Sequence, residues 1–547
     1  KFKAAHDFTG IMNKYLEENG RSSARNRSYA WMKNFAQDTL RNSDDYDRLI
    51  DRAKSSMYLW YLGANLKSGV VNLTQNPTIG MPIMAAEMGT GRATLEYFSG
   101  ARKAIMAMLS GKKDGTVKGM TAEENRFLDE FWNSKAMRDT YAKELRGMTG
   151  GVKSRYMQKV MEIIGAPMEY TERFNRLSFG LANFRAAMDG KITNKQTCEE
   201  FGMEPGKPWT YEAALQYVQS RTRMAHGGFG KGERAQVFRH GNLGRTLNVG
   251  ATFKSIQFNN LELWKAMLTD MGPEGRKAFA LSMAAHMVFG GAVAIPFLGT
   301  FAPIAASALS ELFGGDDDPE RYLKKQLGDA SGETAYDVIM YGAPAMAGVT
   351  IKGSLETSMP LSDIDLSRGW TKGMIDALAK STFGAGYSML EKPERAYKAA
   401  SHGRYQQAVE YILPSSLANI SKAERLYTEG DYTSTGRPIP AKKGDKTAAK
   451  FTGQQAVLQG LGFASVRKAK QWDTKAVGEY KSGQLKDRKA DLTDRYIEAV
   501  AKKDRAAINQ LHKEWKDWND KHSEKLKMKP LPKLAQEKLK RQNKPAV

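Results

Sequence analysis

The chain has 547 residues, 41% hydrophobic and 26% charged, a composition that excludes an intrinsically disordered protein and leaves room for several folding units. Its one cysteine, Cys198, excludes an internal disulfide and a four-thiolate metal site, and we expect this thiol to be buried. The net charge of +23 favours polyanionic partners, either nucleic acid or an anionic membrane surface. Because the first residue is Lys1, we expect a cleaved product or part of a longer protein.

Helix signals dominate, and the alternation typical of strands is scarce. Thr121 predicts a capping box with the glutamate three residues later, and Pro319 predicts a further helix start. Pro167 predicts a helix that begins there and ends at Gly190, because proline is favoured in the first turn. One short extended piece is expected at 349–351. We predict an all-α fold, an extended multi-helix architecture with an apolar helical hairpin or span and a basic C-terminal helical tail.

Residues 55–84 predict an apolar helix that carries a polar stripe. Asn65, Ser68, Asn72 and Gln75 recur at steps of three, four and three, which places them on one helical face. We call these four side chains the polar seam. A buried amide without a partner costs about 1–3 kcal/mol. The polar seam is therefore expected to face another polar surface within the packed protein or a water-filled lumen.

The stretch from Ala278 to Ser310, here called the apolar segment, runs for 33 residues without a formally charged side chain. About 20 apolar residues span a bilayer as a helix, and small residues favour close helix packing in membranes. Pro296 and Pro303 predict a kink or a short hairpin. The alternative is a buried hairpin inside a helical domain. The side chains predicted to interact with a membrane are Met283, Val288, Phe289, Val293, Ile295, Phe297 and Leu298.

The C-terminal part of the chain is basic. Residues 441–450 predict a linker, and apolar residues beyond it predict an amphipathic helix pair that breaks at 502–504. Trp515 and Trp518 lie near lysines, a pattern that suits stacking on nucleic-acid bases. A helix that docks a neighbouring subunit is the alternative interpretation.

These signals divide the chain into five regions. They are an N-terminal helical region with the polar seam (1–115), a helical domain (116–272), an apolar membrane-interacting region (273–315), a helical domain with loop motifs (316–440) and a basic linker with an amphipathic helical tail (441–547).

No pattern in the sequence predicts catalysis, a cofactor or a metal ion. The glycine-rich stretch 227–232 lacks the Ser or Thr that follows the lysine of a phosphate-binding loop. The seven histidines lie at no metal-binding spacing from one another or from the cysteine. The acidic run 316–318 lacks the remaining positions of a calcium loop. We therefore expect that this chain is not an enzyme.

Several stretches resemble, in their order along the chain, segments of very large phage virion proteins. The order is similar to that of the internal core, or ejection, proteins of short-tailed bacteriophages (podoviruses) and of the C-terminal part of large polyvalent phage proteins. The resemblance covers roughly residues 55 to 470. The stretches that carry it are 61–75, 341–348, 351–355, 404–414, 421–430 and 435–438.

The resemblance implies a role in genome delivery. Proteins of this class are stored inside the virion beside the portal, leave before the DNA and rebuild into a conduit across the host envelope. It implies a homo-oligomer whose partners are other internal core or portal proteins, lipids of the host inner membrane and phage DNA contacted non-specifically. One alternative is the non-catalytic anchoring region of a virion enzyme, a peptidoglycan transglycosylase or RNA polymerase, with its catalytic part before Lys1. Another is a basic nucleic-acid-binding packaging protein.

Overall fold

A computed structural model of the chain describes residues 44–61, 63–110, 116–138, 155–227, 255–295, 319–351, 391–440, 446–521 and 527–542. Over these residues the fold is all-α, as predicted. The helices up to residue 290 are α1 (Asp45–Tyr61), α2 (Leu66–Leu73), a π-helix (Asn76–Gly80), α3 (Met81–Met88), α4 (Thr90–Leu109), α5 (Ala122–Asn133), α6 (Lys135–Arg138), α7 (Arg155–Met188), α8 (Lys195–Glu200), α9 (Tyr211–His226), α10 (Ser255–Thr269) and α11 (Gly272–Gly290).

The later elements follow a short 3₁₀ turn at Ala292–Ala294. They are α12 (Pro319–Leu327), α13 (Asp329–Tyr341), a 3₁₀ turn (Ala343–Ala347), β1 (Val349–Thr350), a helix over 391–401, α14 (Tyr405–Ile412), α15 (Ser415–Thr428), α16 (Gly453–Gly460), β2 (Ala464–Ser465), α17 (Val466–Ala501), α18 (Arg505–Lys521) and α19 (Leu531–Gln542). The two strands pair antiparallel, with Val349 opposite Ser465. The expected extended piece at 349–351 is therefore present as β1.

The largest core draws on residues from Ile79 to Met283, and so on three of the five regions proposed from the sequence. Its central helix is α7, which packs against α2, α4 and α9. The capping box predicted at Thr121 is present and begins α5. The rings of Phe127 and Phe184 stack with centroids 4.3 Å apart, which ties α5 to α7. Cys198 is buried in the same core, as expected.

The prediction that a helix begins at Pro167 is wrong, because α7 begins at Arg155 and contains the proline. An internal proline lacks the N–H that helix geometry needs and its ring displaces a neighbouring carbonyl. Here the backbone N–H of Ala64 donates to the carbonyl of Ile164 at 2.9 Å. Gly69 lets α2 approach, since a Cβ at that position would lie 3.0 Å from the carbonyl oxygen of Pro167. Contacts from residues 64 and 69 thus lie beside the proline inside α7, and a sequence signal cannot foresee them.

The described residues of the range 446–542 pack against one another and against earlier parts of the chain. Ala449, in the stretch predicted to be a linker, is buried, and its N–H donates to the carbonyl of Ile439 at 2.9 Å. The predicted break at 502–504 is confirmed, since α17 ends at Ala501 and α18 begins at Arg505. The indole N–H of Trp515 donates to the carbonyl of Lys529 at 3.0 Å, in front of α19. This tryptophan therefore holds the helical tail together.

Candidate membrane-interaction site

The polar seam lies where the structure divides residues 55–84 into α1, α2, the π-helix and α3, instead of one helix. Asn72 and Gln75 are buried. The amide of Asn72 donates to the hydroxyl of Thr171 in α7 at 3.3 Å. The amide of Gln75 donates to the carbonyl of Ala225 in α9 at 3.3 Å. These two members of the polar seam therefore bond to polar groups inside the packed core.

The other two members lie nearer the surface. Asn65 precedes α2 and Ser68 lies in its first turn, and both are partly exposed. The sequence pattern missed Asn76, whose fully buried amide donates to the carbonyl of Asn175 and to the hydroxyl of Ser178, both at 3.0 Å. Asn76 lies four residues after Asn72, the same step that separates Ser68 from Asn72, so helical spacing could have placed it with the polar seam.

The first part of the apolar segment forms the second half of α11, which packs against α3, α10 and the π-helix. Its buried side chains recur every four residues as Ala278, Ser282 and His286, so one narrow stripe of small and polar groups faces the core. On the other side Met287 is 44% exposed and Val288 is 56% exposed. From Ala278 on, α11 therefore carries no formal charge, and its outward side is exposed at Met287 and Val288.

One hydroxyl connects α11 to two neighbouring helices. The indole N–H of Trp264 in α10 donates to the hydroxyl of Ser282 at 3.1 Å. That hydroxyl donates in turn to the carbonyl of Thr78 in the π-helix at 2.7 Å. All three groups are buried, so water does not replace these bonds. We call this arrangement the serine bridge.

His286 lies one turn beyond the serine bridge. Its ring stands edge-on to the ring of Trp264 with centroids 5.4 Å apart, and Nδ1 lies 2.7 Å from the carbonyl oxygen of Ser282. A carbonyl only accepts, so Nδ1 carries the proton in this bond. Burial lowers the pKa of His286 to about 4, against the smaller opposing effect of that bond. The imidazole is therefore neutral near neutral pH, and protonation opposes the docked position of α11.

Two of the residues predicted to meet a membrane lie within α11 together with Val288. Met283 is partly buried against the main core, and Phe289 packs beside Val71 and Ile351. After the helix, Val293 is buried with Met340. Ile295 is partly exposed. Phe297 and Leu298 lie outside the described residues, so among the described members only Val288 belongs to the exposed class.

Within the described ranges, none of the helices is both long and apolar enough to cross a membrane. The chargeless part of α11 is too short because the chain turns at its end, where Gly291 has a φ of +71°. A Cβ at Gly291 would lie 2.3 Å from the carbonyl oxygen of Met340, so α13 presses directly on this turn. Packing against α13 therefore ends the helix after residue 290, although the chargeless sequence continues.

A buried ion-pair network holds α9 against α3 beneath this site. The guanidinium of Arg221 lies 2.9 Å from carboxylate oxygens of both Glu87 and Glu200. Burial raises the pKa of Glu87, while the facing Arg221 acts in the opposite direction. The part of the chain that the structure describes contains no cluster of three His, Cys, Asp or Glu side chains that could hold a metal ion. Through Arg221 the network connects α9 to both α3 and α8.

Comparisons with protein-family models, with curated proteins and with solved structures find no match to this chain.

Proposed function

We propose that this chain is an internal virion protein that is stored in the portal-associated core, is released into the host envelope and helps form a conduit for phage genome delivery. The observation that carries the proposal is how α11 is packed and exposed. From Ala278 on, this helix carries no formal charge; it is held to the core by the serine bridge and one narrow stripe, and its opposite face meets solvent. The ordered resemblance to podovirus ejection proteins supports the same role.

The transfer of such a helix from the protein core into lipid costs little free energy. Apolar side chains that leave the protein core for hydrocarbon lose little, because both surroundings exclude water. The cost falls on the buried stripe of α11, since its serine and histidine need polar partners wherever they go. Sister copies of the same stripe supply those partners and allow close contact at Ala278 and Gly290. This reasoning favours a homo-oligomer whose polar stripes face one another or a central lumen.

The positive charge supports loose contacts with anionic lipid and with packaged DNA. Arg276 and Lys277 stand directly before the apolar segment, where cations remain at the membrane interface. A conduit that bound DNA through many phosphate contacts would slow its passage, because each contact adds affinity. We therefore assign the charge to non-specific attraction, with other core or portal proteins as further partners.

The experiment that tests the proposal changes the exposed side of α11 only. In Met287→Asp/Val288→Asp the folded protein keeps its core, because both side chains are already exposed. Each aspartate near the centre of a bilayer costs about 2.5–3.5 kcal/mol. The variant is expected to retain the thermal stability of the parent within a few degrees and to lose the fraction that stays on vesicles after an alkaline carbonate wash.

The matched control is Val409→Asp/Ile412→Asp, at positions on α14 that are 50% and 58% exposed. This control is expected to retain carbonate-resistant binding. If the α11 variant and the parent resist carbonate equally, the apolar segment does not enter lipid and the proposal fails. If neither protein binds vesicles under any condition, the role passes to the anchoring region of a virion enzyme or to a packaging protein.

A further inference from the structure

The outward side of α4 carries large apolar side chains that no other part of the described chain covers. Leu95 is 71% exposed, Phe98 64%, Ile105 48% and Leu109 81%. Their spacing places them on one face over about 21 Å of helix. Two arginines of α4 are exposed, Arg102 within this row and Arg92 at its flank in the first turn. We call these six residues the α4 outer face.

The opposite side of α4 packs into the core, and this packing holds the helix in place. Ala93, Tyr97 and Ala104 are buried there. Gly100 brings α4 against α7, since a Cβ at that position would lie 2.6 Å from the carbonyl oxygen of Ser178. The exposed side chains are therefore not needed to hold α4 in place.

The charges of α4 are sorted between the two sides. Its one acidic residue, Glu96, is 8% exposed and pairs with Lys191 at 2.7 Å, on the inner side. The outer face thus combines four apolar side chains with two cations and no anion. This combination is typical of a helix that lies in the interface of an anionic membrane, with its apolar groups among the acyl chains and its arginines at the phosphates.

A second copy of the chain fits this surface poorly. Arg102 stands in the middle of the apolar row, so an antiparallel pair of identical faces brings arginine beside arginine without an acidic partner. An anionic bilayer satisfies both parts of the surface at once. We propose that the α4 outer face is a docking surface for anionic phospholipid, by which the chain first adheres to the host membrane.

This inference rests on the proposed membrane role but concerns a different surface and a different kind of binding. The α4 outer face lies on an intact core, so its binding is peripheral, is reversed by salt and needs no release of α11. Entry of the apolar segment resists both salt and carbonate. The two steps are therefore separable on the same vesicles.

The test uses the full chain with vesicles of phosphatidylcholine alone or mixed with phosphatidylglycerol, at low and high salt. Arg92→Gln/Arg102→Gln is expected to weaken partitioning onto the mixed vesicles roughly thirtyfold, because each arginine contributes about 1 kcal/mol and 1.4 kcal/mol is tenfold. Phe98→Ser/Ile105→Ser is expected to weaken it at least about tenfold. Val409→Ser/Ile412→Ser, at exposed apolar positions of α14, is the control and should bind as the parent does.

A fluorescent reporter on Phe98→Cys gives a second measurement, since the chain's one natural cysteine is buried. Its emission should shift to shorter wavelength with the mixed vesicles and return on addition of salt. Parent-like, salt-sensitive binding by both α4 variants overturns the inference. A loss of oligomer mass in Phe98→Ser/Ile105→Ser, with unchanged vesicle binding, overturns it in favour of a second copy. Loss of the carbonate-resistant fraction alone, in the α11 variant, leaves this inference intact.

Discussion

Ser282→Ala tests whether the serine bridge holds α11 in its observed position. It removes the hydroxyl of the serine bridge, which leaves the indole N–H of Trp264 and the carbonyl of Thr78 without this partner. Ser282 is fully buried and Trp264 is 4% exposed, so water does not take its place. Two unsatisfied buried groups cost about 1–3 kcal/mol each, and alanine recovers a few tenths through its better helix propensity, so the loss of stability is about 2–5 kcal/mol.

The assay combines urea unfolding with vesicle flotation. If α11 docks in competition with lipid, weaker docking increases the released population, and the carbonate-resistant fraction at limiting lipid should rise at least about tenfold. Ala284→Ser is the control, because it adds a hydroxyl to an exposed position of the same helix. A variant that loses the stated stability and yet binds vesicles no better than the parent would refute the reasoning.

Three further predictions concern the core beneath the site. Gly100→Ala is expected to cost about 1–3 kcal/mol of stability by overpacking α4 against α7. In Gly91→Ala the added Cβ meets nothing within 4 Å, so this control should be neutral or slightly stabilising. Urea unfolding compares the two variants, and equal stabilities would contradict the close approach of α4 and α7. Arg221→Met is expected to cost about 3–5 kcal/mol of stability because it leaves the Glu87 carboxylate buried without its partner. The double variant Glu87→Gln/Arg221→Met should recover most of that loss in the same measurement. A double variant as unstable as the single one would contradict the pairing. Acidification from about pH 7 to about pH 4 is expected to remove up to about 3 kcal/mol of stability through His286. The pKa of His286 in the folded protein lies below the ordinary histidine pKa of about 6.5. This contribution to stability is therefore complete above about pH 6.5 and is lost as the pH falls toward the pKa of the folded state. His286→Gln should flatten this part of the pH profile, and an unchanged profile would assign the loss to other groups.

The helical character and several boundaries followed from local chemistry. The capping box at Thr121 and the break at 502–504 depend on residues close in sequence, so a short window contains the information that decides them. Pro167 shows the limit of such windows. The backbone hydrogen bond from Ala64 to Ile164 joins residues a hundred positions apart, and the periodicity of α7 does not predict it.

The candidate site shows the same division. The absence of charge in the apolar segment is a property of the sequence alone, and it predicts the membrane-interacting region that includes part of α11. The end of that helix at Gly291, the serine bridge and the burial of Val293 each depend on a distant element, namely α13, the π-helix or α17. The polar seam was located by spacing, but its hydrogen bonds to α7 and α9 became visible only when the elements packed together.

Spin labelling at Val288→Cys tests most directly whether α11 exchanges protein for lipid, because this position is 56% exposed and tolerates a label. In solution the label should collide with an aqueous paramagnetic reagent. After binding to anionic vesicles we predict that it becomes inaccessible to that reagent and accessible to oxygen dissolved in the hydrocarbon. A label that stays accessible to the aqueous reagent on vesicles that carry the bound protein would contradict the proposed entry of α11 into the membrane.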